Sequence, residues 1–138
     1  MGHVYAEIEL INTMDMLDAR RHVIEEDAIR RVRVKMLVNS GAYMMAINEN
    51  IQAYLQLPFN RRKRCEIADG WIVKCDVVGP VDVKFANRSA MCNAFVLPGD
   101  SEPMLGLIPL GELDVMIDMQ RQELVVNPEH PDGAVLRI

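Results

Sequence analysis

What most constrains this chain is its series of short apolar runs, each closed by a turn signal within a few positions. Residues 4–11 alternate, with Val4, Ala6, Ile8 and Leu10 against Tyr5, Glu7, Glu9 and Ile11. That is the period-two pattern of a half-buried strand. Residues 30–38 begin as basic/apolar alternation and end in a continuous apolar run, as a strand does when it passes from an edge into a core. Asn39-Ser40-Gly41 breaks that run, and Met44-Met45-Ala46-Ile47 starts another. Between residues 64 and 78, two runs flank Asp69-Gly70, the strongest hairpin signal in the chain. Gly79-Pro80 predicts a further turn. Val81, Val83 and Phe85 then alternate into a turn at Asn87-Arg88, and residues 90–97 form a strand closed by Pro98-Gly99. Residues 115–117 and 124–126 flank a last hairpin at Asp118-Met119-Gln120-Arg121.

Helical signals are few. Asn48 is a good N-cap, Glu49 suits a first turn, Ile51, Tyr54 and Leu55 share one face, and Pro58 stops the helix. A second helical turn runs through Leu113. Residues 12–18 read as a polar turn and 19–27 as a charged surface loop. From about residue 127 the chain is rich in Pro and Asp and predicts an irregular tail. The sum is an all-β fold of about eight short strands, a closed or partly open β-barrel with one or two short helices. At 138 residues it forms one domain, 1–138. Aromatics are only 5%, so the core falls to Val, Ile, Leu and the ten Met, which fill core and interface gaps.

Composition excludes several functions. A net charge of −5 and a pI near 5.2 argue against nucleic acid as a partner. No apolar run approaches the ~20 residues that span a bilayer, and the acidic first ten residues are not a signal peptide. Ala6 stands where a myristoylation signal wants Ser or Thr. Cys65, Cys75 and Cys92 have no metal-ligand spacing and read as reduced thiols of a cytoplasmic protein. His3, His22 and His130 are dispersed, so neither a metal nor another cofactor is expected. Arg61-Arg62-Lys63-Arg64 reads as a solvated loop before a strand. Asp114 and Asp118 read as cap or turn residues.

Motifs recur in a fixed order along these elements: Tyr5-Ala6-Glu7-Ile8, Asn39-Ser40-Gly41-Ala42, Ala68-Asp69-Gly70, Asn87-Arg88-Ser89, and Leu105-Gly106-Leu107-Ile108-Pro109-Leu110. In that order they resemble retropepsin-like (clan AA) aspartic peptidases, in particular a small bacterial and archaeal family. The likeness covers roughly residues 4–126. It implies a retropepsin-like barrel that pairs as a homodimer and cuts a peptide or protein substrate in a groove between two copies. In such a site two carboxylates about 3 Å apart share one proton, one acting as base on a water and the other bonding the scissile carbonyl. This chain has one such loop, so a second copy must supply the other.

The resemblance puts the catalytic position at Asn39, with Ser40 bonding across to the partner loop and Gly41 where a Cβ would crowd its neighbour. Ala42 and Tyr43 would line the substrate path, and Met104-Leu105-Gly106 would pack behind the loop. Ala68, Asp69 and Gly70 would form the flap, with Trp71 either a packed strand aromatic or a lid over bound peptide. Asn39 is an amide where the family has Asp. It keeps the shape but cannot ionise, so the chain as written should not cut. An Asp-to-Asn substitution made to trap uncut substrate is the favoured origin, because the surrounding apparatus is intact. The alternative is a natural pseudopeptidase, a non-catalytic peptide-binding or scaffolding dimer.

Overall fold

The structure is a computed structural model and describes residues 2–138. Nine strands and three α-helices follow in the order β1 (Val4–Asn12), α1 (Thr13–Arg20), β2 (Arg31–Val38), β3 (Met45–Asn48), α2 (Glu49–Leu55), β4 (Phe59–Glu66), β5 (Ile72–Phe85), β6 (Arg88–Leu97), β7 (Met104–Leu105), α3 (Leu107–Leu113), β8 (Val115–Asp118) and β9 (Glu123–Val126), with a single 3-10 turn at Glu26–Ala28 before β2. Seven strands form one sheet in the order β1-β2-β7-β3-β6-β5-β4, while β8 and β9 form a separate hairpin. A further antiparallel ladder joins residues 9–12 of β1 to residues 81–84 of β5, so the pairings lead back to the first strand. β4 pairs with β5 alone.

The alternation of β1 does what its pattern predicts. Val4, Ala6, Ile8 and Leu10 are buried in the main core with Met36, Met45, Ile47, Leu105 and Leu113. Ile11, read as outward-facing, is buried too, in a satellite cluster with Ala19 and Ile29. The cover is α1, in a segment read as a turn. Asn12 starts that helix, its side-chain oxygen accepting the Asp15 N–H at 3.1 Å. Buried Asp15 then takes two side-chain bonds from Arg30, at 2.8 and 2.9 Å, and one from the Arg30 backbone N–H at 3.0 Å. Those bonds, led by the guanidinium, hold its carboxyl below the usual carboxylate range.

Other expectations need correction. Gly79-Pro80 makes no turn: β5 runs straight through it with a bulge, its register against β6 shifting between Val78 and Val81. Arg61 to Arg64 are not a loop but the exposed middle of β4, an edge strand whose charges discourage pairing with another chain. Tyr54 is exposed, so only Ile51 and Leu55 turn the face of α2 inward. Among the described residues no aromatic is fully buried, although Phe85 packs against the main core. Of the methionines, however, only Met36 and Met45 are buried among the described residues, whereas Met14, Met91, Met116 and Met119 are exposed. Residues 127–138 contain no helix or strand.

Candidate active site

The loop that follows β2 is held from behind by β7. Leu37 and Val38 of β2 run parallel to Met104 and Leu105, and Ala46 of β3 pairs antiparallel with Met104. The two residues of β7 thus separate the strand entering the loop from the strand leaving it. The Leu37 N–H donates to Pro103 O and the Asn39 N–H to Leu105 O, each at 3.0 Å. On the exit side the Leu107 N–H donates to Ala42 O at 2.8 Å and the Ile108 N–H to Tyr43 O at 3.1 Å. The loop is also closed on itself. Asn39 O accepts the Ala42 N–H at 3.1 Å, and Asn39 Oδ1 accepts the Gly41 N–H at 3.0 Å. Asn39 Nδ2 donates to Met104 Sδ at 3.6 Å. Gly106 is required where α3 begins, because an added Cβ would lie 1.8 Å from Met44 O.

A groove of about 1020 Å3 opens in front of this loop. Its floor includes Asn39, Gly41, Ala42 and Tyr43, and one wall is the β4–β5 hairpin through Ala68 and Asp69. Ile67 O accepts the Gly70 N–H at 2.9 Å, and the Ile67 N–H donates to Trp71 O at 2.9 Å. With Gly70 at φ +88, the tip is a three-residue loop, Ala68-Asp69-Gly70, rather than a two-residue turn. The hairpin therefore stands over the loop that carries Asn39.

The structure thus brings together Asn39, Gly41, Ala42, Tyr43, Ala68 and Asp69 around one groove. It leaves Gly70, Trp71 and Ser40 out of the groove lining. Trp71 is 70% exposed beside the hairpin tip. Ser40 is exposed and lines a separate shallow cleft of about 280 Å3 with Leu107, Leu110, Val115, Ile117 and Leu124. A Cβ on Gly41 would meet only the Asn39 side-chain oxygen, at 3.1 Å.

Several groove residues carry no mark in the sequence: Arg64 and Glu66 on the hairpin, Phe95 and Leu97 on β6, and Glu102 before β7; Met104, expected behind the loop, also lines the groove. The alternation of β6 was a usable signal for one face, but nothing local marks that face as groove. Glu102 accepts a hydrogen bond from the Tyr5 hydroxyl at 2.9 Å, which, ahead of any burial effect, raises the phenol above its ordinary value. Lys35 lies 4.8 Å over the same ring. No carboxylate stands on residues 39–44. Among the described residues no group of three or more His, Cys, Asp or Glu could hold a metal ion, and no helix is long and apolar enough to cross a membrane.

These strands, this doubly clamped loop and the hairpin over it define a retroviral protease-like fold. Among solved structures the chain is similar to the retroviral protease-like domain of Ddi1 from Leishmania major, with a TM-score of 0.57 and 18% identity over 93% of this chain and 90% of that one. At that identity the likeness establishes the fold alone. No family model matches the chain, and no curated protein matches it.

Proposed function

We propose that this chain is an aspartic endopeptidase scaffold of the small bacterial and archaeal retropepsin-like type, in which Asn39 holds the catalytic Asp position and leaves the chain as written inactive. The observation that carries this reading is the position of the Asn39 side chain. It lies on the floor of a large groove, under a hairpin, on a loop fixed from behind by Leu105 and Leu107. The return of the strand ladder from β5 to β1 supports a closed barrel. An extended peptide would bind along the groove by strand addition.

The working unit is a homodimer. One loop supplies one side chain, and the chemistry needs two carboxylates that share a proton. The apolar cleft around Ser40 supports a second copy on that side, with Leu107, Leu110, Val115, Ile117 and Leu124 available for burial. In the Asn39→Asp form one carboxylate of the pair takes a proton from water. The other, protonated, donates to the scissile carbonyl. Asn39 has no lone pair basic enough for the first task. The deciding experiment is cleavage of an unfolded protein by purified Asn39→Asp at acidic pH, with the written chain as control. No cleavage by a folded Asn39→Asp dimer would overturn the peptidase reading.

A second reading is a peptide-binding dimer that never cleaves. It is favoured by the self-satisfied state of Asn39, whose oxygen serves Gly41 while its nitrogen serves Met104. Under this reading the written chain binds unfolded peptide and Asn39→Asp gains no activity.

A further inference from the structure

Two thiols meet on one face of the β4–β5 hairpin. Cys65 Sγ and Cys75 Sγ are 2.8 Å apart, and both cysteines are free. In the ladder Cys65 stands opposite Val73 and Cys75 opposite Lys63, so the two are diagonal neighbours. Diagonal side chains on a sheet ordinarily stand farther apart than directly opposed ones. Here the sulfurs are already in contact, and a bond needs less than about 1 Å of further approach. No such contact is required for the hairpin itself, whose ladder and glycine turn are complete without it.

The two thiols differ in access. Cys65 is half-buried and lines the groove, whereas Cys75 is buried. Burial first, then the hydrogen bond with Cys65, pushes the Cys75 thiol up to about 12. Charges of both signs flank the pair. Arg64 adjoins Cys65 in sequence and Lys63 faces Cys75 across the ladder. Two carboxylates adjoin the pair in sequence: Asp76, engaged by Arg62 at 2.8 Å, and Glu66, which lines the groove with Cys65. Access from the groove makes Cys65 the attacking thiol.

We propose that Cys65 and Cys75 form a dithiol modification site that reacts with low-molecular-weight disulfides of the glutathione class and closes a disulfide within the hairpin. Cys65 gives its proton to solvent, and its thiolate attacks one sulfur of the external disulfide. A Cys65 mixed disulfide forms and one small thiolate leaves. Cys75 then loses its proton, attacks Cys65 Sγ and expels the second small thiolate. Two protein thiols become one disulfide, while their two electrons and two protons reduce the external disulfide to two thiols. The second deprotonation is the slow step, offset by sulfurs already in contact. Because β4 pairs with β5 alone, the new bond adds a restraint to a hairpin otherwise held only by its own ladder. Cys92 stands in register with Val81, away from the turn, and takes no part.

The test uses the full chain with glutathione disulfide, acid quenching, alkylation with N-ethylmaleimide after unfolding, and peptide mapping. The expected product is about 2 Da lighter, consistent with loss of two hydrogens. It keeps one alkylatable thiol, at Cys92, and maps to a Cys65–Cys75 bridge. Cys75→Ser stops at a glutathione adduct on Cys65, and Cys65→Ser leaves Cys75 unmodified. Amide exchange around residues 67–70 slows about tenfold on oxidation and recovers with dithiothreitol. Three alkylatable thiols under conditions that oxidise a small control dithiol would overturn the proposal. So would a bridge that includes Cys92, or a Cys75→Ser protein unmodified at Cys65. None of these readouts depends on peptide binding or cleavage, so they fail or succeed apart from the peptidase reading.

Discussion

A Cβ built on Gly106 would lie 1.8 Å from the carbonyl oxygen of Met44 and 2.7 Å from that of Ala42. The glycine is there for space, not for backbone freedom, since its φ of −98 suits any residue. Both obstructing atoms are backbone, so neither can rotate away. The Gly106→Ala variant should therefore lose about 3 kcal/mol or more, above the usual overpacking range. Urea unfolding checks it. A loss under about 1 kcal/mol would mean that the loop after β2 and the start of α3 separate easily.

The written chain should show no cleavage of unfolded protein at any pH, because an amide has no titration to exploit. Asn39→Asp should cleave, with a bell-shaped pH profile that belongs to the carboxylate pair rather than to either member. Activity assays across the acidic range on both purified proteins decide it. Pepstatin-sensitive cleavage by the Asn39 form would sink the assignment of Asn39 to the catalytic position.

Dimer affinity should depend on the same residue. In Asn39→Asp two facing carboxylates share a proton, and their second ionisation is opposed by repulsion. Their upper folded pKa then lies above the unfolded value of about 3.9. The folded dimer binds more protons than the separated chains, so it weakens as pH rises through that upper value. The Asn39 dimer should be the tighter one near neutral pH, with the difference shrinking toward about pH 4. Sedimentation equilibrium at both pH values measures it. An equal or weaker Asn39 dimer at neutral pH would show that the loops do not meet.

Asn12 joins two helices that are distant in sequence. Its oxygen caps α1 through Asp15, and its nitrogen donates to Leu55 O at 2.8 Å, at the end of α2. Asn12→Ala removes a cap and leaves a buried carbonyl unpaired, a loss of about 2 kcal/mol or more. Asn12→Asp keeps the cap acceptor but turns a buried carboxylate oxygen toward Leu55 O in place of the donor, so near neutral pH its unfolding midpoint should fall below that of Asn12→Ala. Equal midpoints for the Ala and Asp variants would show that a carboxylate at this position meets no such repulsion.

The tail is fastened through Asp114. Its carboxylate accepts from Asn127 Nδ2 at 3.0 Å and from the Val135 N–H at 3.0 Å, and meets His130 Nδ1 at 2.6 Å. The Asn127 bond first, then that of Val135, with His130 contributing less, lowers the carboxyl to about 2. A depressed carboxyl adds stability above its unfolded pKa and loses it as pH falls through the folded value. Tail protection from proteolysis should therefore hold above about pH 4 and fall between about pH 4 and pH 2. Asp114→Asn should flatten that fall. An unchanged acid response in the variant would place the relevant titration elsewhere.

What the sequence determined by itself is β1, β2, β3, β6, the β8–β9 hairpin and the loop after β2. Period-two burial is a local property, so residues 4–11 and 90–97 announce their strands, and Asn48 announces its helix through a bond to Ile51 three residues on. The order of motifs also anticipated a retroviral protease-like fold. Only tertiary structure decided the rest. Asn12 could open a turn or a helix, and burial of Ile11 beneath α1 chose the helix. Gly79-Pro80 could turn, but pairing of β5 with β6 on both sides carried the strand through as a bulge. His130 and Asp114 look unrelated until the tail folds back. Ser40 and Asn39 are adjacent in sequence, yet Asn39 lines the groove and Ser40 a separate cleft. A sequence pattern records which residues prefer burial. Which surface buries them depends on contacts such as Tyr5 with Glu102, 97 positions apart, that form only once the chain has closed.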